Sequence, residues 1–514
     1  MTDAVKPLEP GFRRTMLLVS MLFVAVMAAL DLTIVSVALP YMAGGLDATP
    51  DEITWVVTLF AIGQALVIGI TGHLSRLLGR KRLAIISIVG FVLSSAACGL
   101  SQDLDMIVVF RFIQGIFSGP LIPLSQSVLI DAYPAEKRTK VLAMWAMGVT
   151  AGPAIGPALG GFLTQTLDWR WNFWVNFPIG IVALLLTLSF MRPVKPQHVR
   201  TDWLGLGLLA VFLICMQVGL DQGDRLDWFS SHEIVLLLMA AFTGLVVFTL
   251  RGIPRGERNI INLDLLRDTN FAACSLLMGI TGVSFLSFMV LAPAMYVEQL
   301  GWEIVTAGYS VGISASMLVV ASQVANLLMR MVGMRATVIT GSLVTATGWY
   351  LFSGINLNVS PAQVIVPGAF ICFGLLITFP VIAAQAFAHV PPQLRDEAAG
   401  LFNLVKTIGF SLGVTFVTAL IYRGTQENWS RIAGFLDPTR PGYSYYLQQA
   451  GIDDGTPEAG ALLFQIMESQ SSILTYTHTM EVLALIVICS IPLTFFMRTK
   501  TEAPPARAAG ASAH

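Results

Sequence analysis

The chain has 514 residues, of which 55% are apolar and only 12% charged, with a formal net charge of −1 and a mean hydropathy of +0.73. That composition lies outside the range of soluble globular domains and marks a polytopic membrane protein. The near-zero net charge says nothing about nucleic acid, and no basic patch interleaved with aromatics suggests such a partner, so none is expected. The five cysteines (Cys98, Cys215, Cys274, Cys372, Cys489) all sit in apolar runs and offer neither a disulfide framework nor clustered metal ligands. The six histidines lack His-Glu-x-x-His spacing, and no nucleophile elbow or phosphate loop occurs. Neither catalysis nor a cofactor or metal is expected.

About 20 apolar residues cross a bilayer as a helix, and fourteen such runs follow one another. The first, Leu17 to Met42, is too long for a secretory signal and contains Asp31, so it reads as a retained span. The next five are Ile53 to Gly72, Leu83 to Leu100, Met106 to Ile130, Val141 to Thr164 and Phe173 to Met191. A central pair covers Trp203 to Leu220 and Ile234 to Leu250. The last six are Phe271 to Val297, Val305 to Leu328, Ala336 to Phe352, Val364 to Ala388, Leu401 to Tyr422 and Leu474 to Phe496. The expected organisation is a terminus (1–16), a six-helix bundle (17–191), a linker with two extra helices (192–268), a second six-helix bundle (269–497) with a long outer loop (423–473), and a tail (498–514).

Lysine and arginine set the orientation. On the side of the amino terminus fall 23 of them and on the opposite side 5, with Arg111 and Lys406 inside spans. Both termini are therefore expected to be cytoplasmic. A weak internal repeat pairs Arg76-Leu77-Leu78-Gly79-Arg80-Lys81 with Arg330-Met331-Val332-Gly333-Met334-Arg335, in equivalent loops of the two halves. This order suggests an all-α membrane protein of two six-helix bundles plus two central helices, with a cavity between the bundles.

Asp31 is the one carboxylate placed deep in a span, where an ionised group costs roughly 2.5–3.5 kcal/mol on insertion scales and is kept mainly for ions, protons or ligands. At 1.5 Å per residue, Asp31 and Arg111 both lie roughly 9–13 Å from the outer ends of their helices. As neighbours they can pair. Burial favours the neutral acid and a close guanidinium the carboxylate, so moving the partner switches proton affinity. The alternative is an ion pair that only orders two helices. Lys406, about seven residues into its span, can act as ligand or relay or can snorkel to the interface. Gln64, Gln126, Gln385 and Asn403 are candidates for a substrate cavity or for bonds across helices. Gly148, Gly152, Gly156 and Gly160 recur every four residues with Pro153 and Pro157 among them, which fits either a packing seam or a bend used in gating.

At this point several stretches resemble the major facilitator superfamily, in its fourteen-helix drug:proton antiporter branch and most closely EmrB-type exporters. Leu30 to Pro40 resembles that branch's first-helix signature, Arg111-Phe112-Ile113-Gln114-Gly115 its fourth-helix motif, and Gly148 to Gly161 its antiporter motif. Trp169 to Gly180, Gly119 to Ser127 and Leu226 to Ser231 are similar as well. The resemblance implies a major facilitator fold, alternating access, and proton-driven export of hydrophobic small molecules from the bacterial inner membrane, with Asp31 and Arg111 in coupling. Gly72, Leu74, Gly79, Arg80 and Lys81 match the cytoplasmic loop that locks the outward-open state. Arg76 departs from it, because most relatives carry aspartate there, and Ser36 stands where asparagine is common. A cation facing a helix amino terminus is unfavourable, so Asp396 or Glu397 is expected to supply the missing charge.

The likeness also implies a periplasmic adaptor and an outer-membrane channel as partners, besides substrates, protons and membrane lipids. From Thr456 the outer loop reads as a capped amphipathic helix, with Pro457 at its first position and Leu462, Leu463, Ile466 and Met467 on one face. It could dock an adaptor, lie on the membrane or cover the exit. Two other functional readings stand beside drug export. One is a carrier dedicated to a single secreted metabolite, such as a siderophore or a lipid, and the other a non-transporting sensor or scaffold.

Overall fold

A computed structural model describes residues 11–49, 52–194, 196–197, 201–223, 225–253, 260–433 and 456–498. The ends 1–10 and 499–514, part of the linker at 254–259, and the middle of the expected outer loop at 434–455 lie outside the described residues. Nineteen α-helices are found among those described. The first ten build one bundle: α1 (Phe12–Ile34), α2 (Leu39–Gly45), α3 (Trp55–Ile68), α4 (Thr71–Leu78), α5 (Arg80–Gly99), α6 (Leu104–Ser118), α7 (Leu121–Ala132), α8 (Ala135–Thr166), α9 (Trp171–Trp174) and α10 (Asn176–Phe190). A pair follows, α11 (Trp203–Gln222) and α12 (His232–Gly252). The second bundle holds α13 (Thr269–Glu298), α14 (Ile304–Ala315), α15 (Leu318–Met331), α16 (Gly333–Ser353), α17 (Pro361–Ala386), α18 (Arg395–Ala433) and α19 (Pro457–Ser490).

Polar residues start these helices where the sequence changes from loop to apolar run. Asp103, Asp202, Asp268 and Thr456 each accept a backbone N–H of the first turn of α6, α11, α13 and α19, satisfying donors that a helix start leaves open. Ser360 and Gln363 form a reciprocal capping box on α17. Apolar length does the rest. Among the described residues eleven helical stretches, α6 with α7 and α9 with α10 each taken as one, are long and apolar enough to span a membrane, or twelve with the pair α3–α4, which bends by 60°. The other two expected spans coincide with α14–α15 and α16.

Two expectations change in detail. The span expected from Met106 to Ile130 is divided at Pro120 into α6 and α7, because proline has no N–H for the ladder. The amphipathic segment after Thr456 is not a separate surface helix but the beginning of α19, which runs 34 residues without a break. Its Leu463 and Met467 are buried, and Phe464 meets Trp429 of α18. The internal repeat has a counterpart in the backbone. Gly79 and Gly333, equivalent in the repeat, both have φ = +82° at the start of α5 and α16, a conformation that favours glycine.

The glycine run of α8 packs against α1. A β-carbon at Gly152 would lie 2.7 Å from the Leu30 nitrogen, at Gly156 2.3 Å from Thr33 Oγ1, and at Gly160 2.4 Å from the Ile34 oxygen, while Gly148 faces Leu22 and Val26. Pro157 cannot donate to the carbonyl of Pro153 four residues back, and the Thr33 hydroxyl donates to that oxygen instead, at 3.4 Å. The seam therefore grips α1 on both sides of Asp31.

Both ends of the described chain lie on one face. Arg14 stacks on Tyr133 just after α7, and the Arg498 N–H donates to Asn270 Oδ1 at the start of α13. Gly156→Val is expected to lower the thermal unfolding temperature of the solubilised protein, at a cost of about 1–3 kcal/mol for overpacking. Gly207→Ala, where nothing lies within 4 Å, is expected not to lower it.

Candidate functional site

Asp31 of α1 is fully buried and accepts three donors. Arg111 Nη1 of α6 donates to Oδ2 at 2.7 Å, Gln114 Nε2 to Oδ1 at 3.0 Å, and Asn176 Nδ2 of α10 to Oδ1 at 2.8 Å. Arg111 is equally enclosed. Its Nε donates to the Val56 oxygen of α3 at 3.1 Å, its Nη1 reaches Gln114 Oε1 at 2.9 Å, and the guanidinium lies 4.1 Å from the centre of the Phe60 ring. Asn176 Nδ2 also donates to Ser95 Oγ of α5 at 3.1 Å. The carboxylate thus joins α1, α6 and α10 directly and reaches α3 and α5 through Arg111 and Asn176, and its ionised form is the one these donors satisfy.

The Asp31–Arg111 pair is kept apart from the central cavity. That cavity lies between the bundles and is lined by apolar groups that include Ile68, Trp145, Met278, Phe285, Phe379 and Phe410. Ala29 and Leu32 of α1 face it, whereas Asp31 between them turns into the bundle. Gln64, Asn403 and Lys406 are among its lining residues. Gln64 Nε2 donates to Ser118 Oγ at 3.0 Å. Lys406, the one charged side chain that lines the cavity among the described residues, is buried and lies 5.6 Å from the centre of the Phe410 ring. Gln126 stands just behind the wall, where its Oε1 accepts from Asn403 Nδ2 at 2.7 Å and so ties α7 to α18. Gln385 is elsewhere. Its amide bonds to Asn270 and to the Arg498 carbonyl, pinning the segment after α19 against α13 and α17.

On the face that carries both ends of the described chain, a second charged cluster closes the junction of the bundles. Arg76 Nη1 meets Glu397 Oε1 at 2.7 Å, and Arg80 reaches Asp131 at 2.5 Å and Asp396 at 2.7 Å. Ser75 Oγ donates to Asp396 Oδ2 at 2.5 Å, and Arg395 also pairs with Asp131. Three cations and three carboxylates neutralise one another there. Gly72 lets α4 come this near, since a β-carbon would lie 2.5 Å from the Glu397 Cα. Gly79 turns the chain with its positive φ and passes 2.6 Å, at its would-be β-carbon, from the Val194 oxygen. The Asp396 and Glu397 carboxylates also occupy the first turn of α18, where the helix dipole favours negative charge.

Sequence reasoning singled out Asp31 and Arg111 but gave no role to Gln114, Asn176, Ser95, Asp131 or Arg395. Gln114 had a signal, as it lies one turn after Arg111 on the same helix face. Asp131 had none, because its partners lie 51 and 264 residues away in sequence.

A family model described as Major Facilitator Superfamily matches residues 21–414. The chain belongs to the major facilitator superfamily. Among its relatives within this superfamily is Multidrug export protein EmrB of Escherichia coli (strain K12), 30% identical over 513 residues, which are 98% of this chain and 98% of that protein. Fatty acid resistance protein FarB of Neisseria gonorrhoeae is 32% identical over 435 residues, covering 84% and 85% of the two chains. The crystal structure of the human organic anion transporter MFSD10 has the same fold, with a TM-score of 0.57 over 92% of this chain and 99% of that one, at 13% identity. A multi-span transporter of this superfamily, rather than an enzyme, is what fold and family agree on.

Arg111→Ala is expected to cost about 3–5 kcal/mol of stability, the usual penalty for leaving one partner of a buried pair uncompensated. Asp31→Asn combined with Arg111→Gln is expected to cost less than Arg111→Ala alone. Thermal unfolding of purified protein in detergent checks both.

Proposed function

We propose that the protein is a proton-coupled exporter of hydrophobic small molecules in a bacterial inner membrane, with both termini and the closed charged cluster on the cytoplasmic side. The observation that carries this reading is the fully buried Asp31–Arg111 pair, whose acid sits on α1, a helix that also reaches the cavity. A buried acid with a mobile cationic partner can trade one for a proton. When a proton arrives from outside, the neutral acid no longer holds Arg111, and the guanidinium keeps only its bonds to Gln114 and the Val56 carbonyl. α1 then shifts against the glycine seam of α8. Because Ala29 and Leu32 ride on the same turn of α1, the shift reshapes the cavity wall and alternately admits substrate from one side and releases it on the other.

The charged cluster acts as the cytoplasmic gate. Glu397 supplies the carboxylate that Arg76 needs, and Asp131, Asp396, Arg80 and Arg395 complete a bolt from α4, α5 and α7 to α18. Below the bolt, the Gln126–Asn403 bond forms the floor of the cavity. The glycines at 148, 152, 156 and 160 and the prolines at 153 and 157 give α1 and α8 a smooth surface to slide on. Inward proton flow supplies roughly 2.3 kcal/mol per charge per 100 mV from the membrane potential alone.

Lys406 sets the preferred cargo. With Asp31 and Arg111 neutralising each other outside the cavity, the lining carries one cation among aromatic rings, a setting for neutral or weakly acidic amphiphiles. The names of the relatives, which speak of multidrug export and fatty acid resistance, are compatible with such cargo. A periplasmic adaptor and an outer-membrane channel complete the route. The length of α18, 39 residues or roughly 58 Å at 1.5 Å per residue, supports this, because it exceeds the roughly 30 Å hydrocarbon core and gives α18 and α19 an outer extension an adaptor can meet.

Proteoliposomes test the central reading. Asp31→Asn is expected to abolish pH-gradient-driven transport while substrate exchange without a gradient persists; gradient-driven transport at wild-type rate would contradict it. Lys406→Met is expected to reduce transport of lipophilic carboxylic acids about tenfold or more, the size of losing one charged hydrogen bond, and to spare neutral amphiphiles. Strong wild-type transport of dicationic dyes with none of lipophilic acids would overturn the preference.

A further inference from the structure

α11 lies across the junction of the two bundles, packed on α3 of one and α18 of the other. Near its outer end it carries Gln217 and Asp221, one helical turn apart and therefore on one face. Ser411 Oγ of α18 donates to Gln217 Oε1 at 2.7 Å, Gln217 Nε2 donates to Asp221 Oδ1 at 3.1 Å, and Thr58 Oγ1 of α3 donates to Asp221 Oδ2 at 2.6 Å. An unbroken hydrogen-bonded chain thus runs from bundle to bundle through a helix that belongs to neither. Bonds to an ionised carboxylate are the stronger kind.

The position of Thr58 gives the chain its meaning. Val56 and Phe60, one turn apart on α3, contact Arg111 with a carbonyl and a ring face. Thr58 lies between them in sequence and roughly 200° around the helix, so it points away from Arg111 and toward α11. One short stretch of α3 therefore holds the cation of the buried pair on one face and the bridge to α18 on the other. Nearer the charged cluster, the same two sides meet directly, where Gly69 abuts Leu404 and Gly400 approaches the Ile68 and Gly69 carbonyls. The junction between α3 and α18 is direct at one end and relayed through α11 at the other.

We propose that Asp221 and Gln217 are positioning residues of the transport cycle: their hydrogen-bonded chain from Thr58 to Ser411 fixes α3 relative to α18 and favours the conformer found here, with the charged cluster closed. The extra helix α11 is then a strut that sets the balance between conformers. The proposal rests on the alternating-access reading above and adds to it a role for a helix that reading leaves idle.

Spin labels at Arg82→Cys and Gln393→Cys, exposed positions on the two sides of the charged cluster, report the balance by pulsed electron resonance distance measurement in nanodiscs. Cys215 and Cys489 are first changed to serine, and the other three cysteines are buried. Ser411→Ala and Gln217→Leu are each expected to raise the ratio of long- to short-distance populations about 3–10-fold, the worth of one hydrogen bond, and Ser411→Thr to restore the parent ratio. Melting temperatures are recorded beside each. Two populations in the parent that neither Ser411→Ala nor Gln217→Leu moves would overturn the strut, and a lowered melting temperature with an unchanged ratio would do the same by assigning the chain a purely structural role. A parent that keeps a single distance at every pH and substrate condition would overturn alternating access and the strut together.

Discussion

A carboxylate with no exposed surface, well inside an apolar span that runs from Phe12 to Gly45, has to be met by donors or lose its charge. Asp31 is met by three, and most of the first bundle is arranged to supply them. Arg111 arrives on α6 and Asn176 on α10. Arg111 in turn needs the Val56 carbonyl and the Phe60 ring of α3. Each donor has one correct position, so a single buried acid fixes the mutual placement of four helices. Hydrophobic burial makes a bundle of these segments, and the acid decides which bundle.

The same constraint explains why the acid and the cavity are separate yet connected. A charge open to a cavity that takes apolar molecules would have to be desolvated with every substrate. Turned inward on α1, Asp31 is shielded, while the residues on either side of it face the cavity. The α8 glycines hold α1 by backbone contact rather than by interlocking side chains, so α1 can respond to the state of the acid. Among the described residues Lys406 alone brings ionic character to the lining. The closed charged cluster is the complementary device: ion pairs between bundles, placed at their edge, where water can replace them when they part.

Much of this was legible in the sequence. Apolar length gave the spans, because a bilayer demands about 20 such residues, and helices occupy every position at which a span was expected. Asp31 and Arg111 stood out because charge in an apolar run is expensive, and their equal depth already allowed them to meet. The repeat around Gly79 and Gly333 was faint in side chains and clear in dihedral angles. Other features had no local signature. Gln114 and Asn176 are ordinary amides until the acid is beside them, and Asp131 finds Arg395 only when the two bundles close. Gln385 resembles Gln126 in context, yet Gln126 stands behind the cavity wall against Asn403 while Gln385 holds the segment after α19. Asp221 falls at the end of its apolar run, where carboxylates are commonplace, and its bond to Thr58 of α3 spans 163 residues of sequence. The outer segment after Thr456 kept its expected cap but continued as one long helix, since no residue between its amphipathic start and the last span stops it.

The central claim is that Asp31 holds a proton in one state and Arg111 in the other, with substrate deciding which. Proton release on substrate binding measures this most directly, using purified protein in weakly buffered detergent solution with a pH-indicating dye. Wild-type protein is expected to release protons when a transported amphiphile is added, and Asp31→Asn protein to release none. Equal release from the two proteins would contradict the claim and move the coupling site elsewhere in the molecule.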